Sequence, residues 1–138
     1  MNTIRYLVVH CSDTPNYREH DAADIHRWHK KKRWTGIGYN AVIKLSGEVE
    51  HGRPNYWQGA HVRKHNNHSL GVCLIGRDKF TKAQLQSLKL LLSSWQQAYP
   101  DAHIVGHYQL DDNKSCPNID IPQWLAAAGL TNPGINHV

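Results

Sequence analysis

Cysteine is scarce in this sequence, with three residues in 138. An odd number cannot be fully paired, and a chain near this size buries roughly two-thirds of its unfolded surface without staples. A disulfide framework is therefore not what organises it, and a reducing compartment is the expected place of synthesis. Long apolar runs are missing too. No stretch approaches the roughly 18 residues of a membrane crossing, and Met1-Asn2-Thr3-Ile4-Arg5 lacks the apolar core of a secretory signal. The expectation is a soluble protein that starts in the cytoplasm. There is no repeat, no low-complexity segment and no CxxC pair to close a structural zinc site. Acidic residues are outnumbered by Lys and Arg, 11 to 16, which leaves a net charge of +5 and a pI of 9.2. Such a surface suits a polyanionic partner: nucleic acid, an anionic membrane or an acidic cell-wall polymer. Simple solubility is the alternative reading of the same charge.

What is present reads as alternating strands and helices. Ile4 to His10 is β-branched and mostly apolar, as a buried strand would be. Residues 20–33 read as a helix, with Ile25, Trp28 and His29 recurring at i, i+3 and i+4 and a basic end from Arg27 to Arg33. Interleaved with Trp28 and Trp34, that end is either a nucleic-acid or glycan surface or a solvated helix terminus. His29 shares the apolar face and reads as packed. Gly36 and Gly38 break the helix and open a hairpin, Tyr39–Leu45 and Glu48–His51, around Ser46-Gly47. Residues 52–68 form a loop carrying Tyr56, Trp57, His61, His65 and His68, and loops rich in such residues commonly line sites. Ser69–Gly76 is the most apolar strand, with Cys73 as inert core. Thr81 caps a helix in which Leu85, Leu88, Leu91, Leu92 and Trp95 keep helical spacing up to Pro100. Ile104–His107 is the last strand and Ile121–Ala128 the last helix, with Pro122 in its first turn and Gly129 at its end. A single mixed α/β domain follows, with a central mixed sheet of about five strands flanked by about three helices. It occupies residues 1–130, and 131–138 form a tail expected to fray.

The chemistry gathers in one loop. Gly106-His107-Tyr108 leads through Asp111-Asp112 to Lys114-Ser115-Cys116-Pro117, so a histidine, a lysine and a cysteine share a short turn-rich stretch. His10 ends the first strand. For His10 alone, a hydrogen-bonded core histidine is the alternative reading. If the strands ending in His10 and His107 are neighbours, their imidazoles converge and Cys116 returns beside them. Two histidines and a cysteine leave a fourth position open, which is the form of a catalytic zinc site. Cys11 should face away from His10, since neighbouring strand residues alternate. Asp111 and Asp112 read as solvated loop, and Tyr39 has a structural and a functional reading alike.

Taken together, several segments resemble a known family: Val9-His10-Cys11-Ser12, Trp28-His29-Lys30, Gly38-Tyr39, Gly59-Ala60-His61, Asn67 to Gly76, Gly106-His107 and Lys114-Ser115-Cys116-Pro117. In this order they resemble the zinc-dependent N-acetylmuramoyl-L-alanine amidases of the amidase-2 and peptidoglycan-recognition-protein superfamily. The likeness is strongest to the small phage lysozymes, or endolysins, of the T-seven type, and it runs over residues 4–126. The resemblance implies one Zn²⁺ held by His10, His107 and Cys116, with catalytic help from Tyr39 and Lys114. It implies a substrate groove along His61, Asn67 and His68, and peptidoglycan muramyl peptides as the partner. The bond cut would be the amide between N-acetylmuramic acid and L-alanine. A monomer made in the host bacterial cytoplasm would reach the wall on release, and phage RNA polymerase is a further partner for lysozymes of this type. Two other classes compete: a non-catalytic cell-wall-binding module, which Cys116 argues against, and a nucleic-acid or polymerase binder built on Trp28 to Trp34.

Overall fold

In the computed structural model, which describes residues 3–133, the apolar run after Arg5 becomes strand β1 (Tyr6–Cys11). Helix α1 (Ala22–Lys31) follows, and the hairpin of β2 (Ala41–Ile43) and β3 (Val49–His51) comes next. A 3₁₀ turn (Asn66–His68) leads directly into β4 (Ser69–Leu74). Helix α2 (Lys82–Ala98), strand β5 (His103–Gly106), the single-turn helix α3 (His107–Leu110) and helix α4 (Ile121–Ala128) complete the described chain. The sheet order is β3-β2-β4-β1-β5. Only the β2–β3 hairpin is antiparallel; β2, β4, β1 and β5 run parallel. Five mixed strands match the expectation, and the helix count exceeds it by the short α3.

Strand alternation sorts β1 between two faces. Leu7 and Val9 join Leu70, Val72, Leu74 and Ile104 against Leu88, Leu92 and Trp95 of α2 and Ile121 and Leu125 of α4. Val8 and His10 point to the other face, where Val42, Cys73 and Ile25 of α1 pack. The parallel register sets His10 opposite Cys73 and Val8 opposite Gly71. Helix α2 starts as its sequence suggests: Thr81 accepts from the Gln84 amide, and Gln84 accepts from the Thr81 amide. The same buried Gln84 amide group donates to the carbonyls of Ile43 and Ile75, which ties the helix start to the ends of β2 and β4.

Two expectations change. His107 does not end a strand; β5 stops at Gly106, and His107 opens α3 one residue beyond. Of the tail, residues 134–138 lie outside the described residues. Before them, Asn132 pairs with the edge of β5, taking the Ile104 amide at 2.6 Å and donating to its carbonyl at 3.0 Å.

Candidate metal centre and groove

Two neighbouring parallel strands end on the same side of the sheet, so β1 and β5 bring His10 and the residue after Gly106 together. The ring centroids of His10 and His107 are 4.5 Å apart. Cys116 returns on the loop after α3, held by a hydrogen bond from the Tyr108 amide to its carbonyl (3.1 Å). The backbone amide of Cys11 donates to Cys116 Sγ at 3.0 Å. One donor atom from each of His10, His107 and Cys116 lies within 4.8 Å of the others. Zinc bonds of about 2.0–2.3 Å put tetrahedral donors roughly 3.5 Å apart, so small side-chain movements close the set on an ion. Two imidazoles and a thiol, all at least partly buried, fit a zinc site with one position left for substrate or water.

The electrostatics agree with that fit. His10 is 1 % exposed, and burial, then the neighbouring His61 and His107 rings, push its pKa well below the ordinary value. Burial likewise lowers His107, with Asp111 pulling it up and Lys114 pulling it down. Both are neutral at neutral pH, as ligands must be. The Cys116 thiol is held above its ordinary value by its hydrogen bond to Cys11 and by burial. A dication held there by His10, His107 and Cys116 would supply the opposing charge that favours the thiolate.

Tyr39 and Lys114 meet at the same place. A cavity of about 620 Å³ is lined by Tyr39, His61, His107, Asp111 and Lys114 together with His29, Lys32 and Trp34. The Tyr39 ring lies 5.0 Å from that of His10. Burial holds its hydroxyl well above the usual phenol pKa, so it keeps its proton. Lys114 stands on the exposed rim. Asp112 is solvated as expected, but Asp111 is a cavity wall whose charge acts on His107.

The three groove residues separate. His61 is only 8 % exposed, and its Nδ1 is 2.9 Å from His10 Nε2, so it backs a candidate ligand. Asn67 is exposed and does not line the cavity. The His68 ring lies against Tyr6, at the start of β1, and bonds His65 at 3.0 Å. Tyr6 is four residues from His10, or about 13 Å along a strand. The reason is the 3₁₀ turn: it directs Asn66 inward, where its carbonyl oxygen accepts from the amides of His61 (2.8 Å) and Val62 (2.9 Å), and carries the next two residues away.

Nothing in the sequence singles out Asn66, and alternation sets Cys11 aside; the structure brings both close to the candidate ligands. Alternation does send the Cys11 side chain to the opposite face from His10, but β1 ends there. The returning loop wraps the strand end and reaches the Cys11 amide and thiol. His29 is packed as expected, its Nδ1 accepting from the Gly38 amide at 2.9 Å. Even so, its ring lies 4.4 Å from that of Trp34 and borders the cavity.

Comparison with known proteins covers most of the chain. The family described as N-acetylmuramoyl-L-alanine amidase matches residues 1–119. The endolysin of Escherichia phage T7 is 37 % identical over 126 residues, covering 86 % of this chain and 83 % of that one. Peptidoglycan-recognition protein SC2 of Drosophila melanogaster is 32 % identical over 133 residues, covering 87 % and 71 %. Among solved structures, the N-acetylmuramoyl-L-alanine amidase LysC from Clostridium intestinale superposes with a TM-score of 0.83 over 94 % of this chain and 87 % of its own; at 24 % identity that likeness shows the fold.

Proposed function

This chain belongs to the N-acetylmuramoyl-L-alanine amidase family and is a peptidoglycan amidase of the endolysin kind, and from that premise we propose a zinc-dependent enzyme that cuts between the lactyl group of N-acetylmuramic acid and L-alanine of the stem peptide. The observation that carries the proposal is the convergence of His10, His107 and Cys116 beside a cavity that also holds Tyr39 and Lys114. His10 and His107 would hold zinc as neutral imidazoles and Cys116 as a thiolate. When bound, zinc supplies a Lewis acid that polarises the scissile carbonyl and acidifies water.

The chain's own groups do the rest. Tyr39, protonated because it is buried, donates a hydrogen bond from its hydroxyl to the amide oxygen as charge develops there. The Lys114 ammonium faces the same oxygen from the solvent rim and adds charge stabilisation. Trp34 and Lys32, the latter 5.4 Å from the indole centroid, line the same cavity and offer the muramyl peptide an aromatic and a cationic contact. Every one of these groups comes from one chain, so a monomer suffices. Among the described residues no helix is long and apolar enough to cross a membrane. An enzyme of this kind, made in the host cytoplasm, meets the wall only on release.

Digestion of purified peptidoglycan tests the reading, with chelator and zinc add-back as controls. New alanine amino termini that vanish with chelator and return with zinc are expected. New reducing sugar ends would show a glycosidase instead, and the absence of any product would leave a binding module.

A further inference from the structure

The hydrogen bonds behind His10 run in one direction only. The Ser69 hydroxyl has a single proton, and it points at the His65 carbonyl 2.7 Å away, a group that can only accept. Toward His61 Nε2, 3.3 Å away, Ser69 Oγ can therefore only accept, so Nε2 carries the proton of that ring. A neutral imidazole has one N–H and one lone pair. His61 Nδ1 is then the acceptor and takes the proton of His10 Nε2 across 2.9 Å. What remains on His10 is a bare Nδ1.

The His61 ring has little freedom to turn. A Cβ at Gly71 would come within 2.5 Å of its Nδ1, and a Cβ at Gly59 within 2.6 Å of its Cδ2, so two glycines leave just the room the ring fills. Its backbone amide is held by Asn66. Burial keeps the surroundings dry, since Ser69 is 1 % exposed and His61 8 %.

We propose that His61, backed by Ser69, is a positioning residue that fixes His10 in the tautomer whose Nδ1 is free to bind the metal. It acts on the metal through His10. Left alone, an imidazole shares its proton between two nitrogens, and one of the two forms must rearrange before it can bind. The His65-Ser69-His61 chain removes that form in advance. The inference rests on the reading of His10 as a metal ligand, but the tautomer itself is a property of the metal-free protein.

The test has two arms. In the first, long-range proton–nitrogen correlation spectra of histidine-labelled, metal-free wild-type protein report which nitrogen of each ring is protonated. Nε2–H with bare Nδ1 is expected for both His10 and His61. A His10 ring protonated at Nδ1 overturns the proposal. In the second arm, zinc affinity is measured by chelator competition. His61→Phe keeps the ring's bulk but cannot accept, and should weaken zinc binding about 10- to 100-fold while the circular dichroism stays that of the folded protein. His61→Gln, which offers an acceptor, should recover binding to within roughly threefold of wild type, as a restored second-layer partner would. Ser69→Ala should leave His61 as a mixture of tautomers. If folded His61→Phe binds zinc as tightly as wild type, the positioning role is wrong. If wild-type protein binds no zinc, the metal reading fails, and the first arm still decides the tautomer.

Discussion

The two faces of the sheet are built from alternate residues of the same strands, and they differ in kind. On one face Leu7 and Val9 meet Leu88 and Leu92 of α2 and Ile121 of α4 in an apolar core, with the buried Gln84 side chain satisfied by backbone carbonyls. On the other, Val8 and His10 share the space with Tyr39, Cys73 and the rings of His61 and His107. The first face is a packed core whose residues could be exchanged for others of like volume. The second buries polar rings with few and specific partners, His10 on His61 and His61 on Ser69, and such a network holds its geometry only while every member is present. One strand can thus carry stability on its odd residues and chemistry on its even ones.

The separation can be tested by breaking each face in turn. The largest effect should come from the chemical face. Cys116→Ala and His107→Ala should abolish zinc uptake, read by metal analysis, and lower amidase activity by at least ~1,000-fold, or about 4 kcal/mol of barrier. The thermal transition of the metal-free proteins should hardly move. Next, Tyr39→Phe and Lys114→Ala should keep one zinc per chain and lose about 100- to 1,000-fold in kcat, since each removes a group acting on developing charge. On the scaffold face, Leu92→Ala should cost about 2–5 kcal/mol in denaturant unfolding. It should leave kcat close to wild type at temperatures where the protein is folded. A Leu92→Ala protein that is stable but inactive would show that the two faces are not separable.

The smallest effect sharpens the comparison through pH. Burial, then the charges of Lys32, Arg53 and His26, push His29 down to about 4. Its folded pKa lies below the unfolded value of about 6.5, so the unfolded chain binds more protons in between. Stability from this group is complete above pH 6.5 and declines as the pH falls toward 4, where protonation also removes the acceptor for the Gly38 amide. Urea midpoints of metal-free protein across that range should fall with pH, and His29→Phe should flatten the slope.

Much of this was legible in the sequence because it is local or periodic. The apolar runs of β1 and β4, the leucine spacing of α2, and the caps Thr81 and Gly129 each announce themselves within a few residues. The three candidate ligands were readable because a strand end and a cysteine-bearing loop are recognisable alone, and the adjacency of β1 and β5 joins them. What could not be read is what depends on how loops cross. His61 does line the cavity, but nothing in its neighbourhood in the sequence says that it also meets His10, 51 positions away. Asn66, rather than Asn67, is the inward residue because a single 3₁₀ turn decides which of two adjacent asparagines faces the site. Cys11 obeyed alternation and still met Cys116, because alternation says nothing about a loop that rounds the strand's end.

The order of the strands has a consequence in time. β1 leaves the ribosome before the other four strands of its sheet, but its partner β5 begins at His103, opposite Tyr6, and Cys116 comes later still. A nascent chain holding everything through Pro100 has one of the three donors and half of the β1 pairing. Folding must wait for these distant contacts, which slows it, and a product ended there has a single donor, too few to make the three-donor set. The candidate site is therefore assembled late, from segments more than 90 residues apart in the sequence.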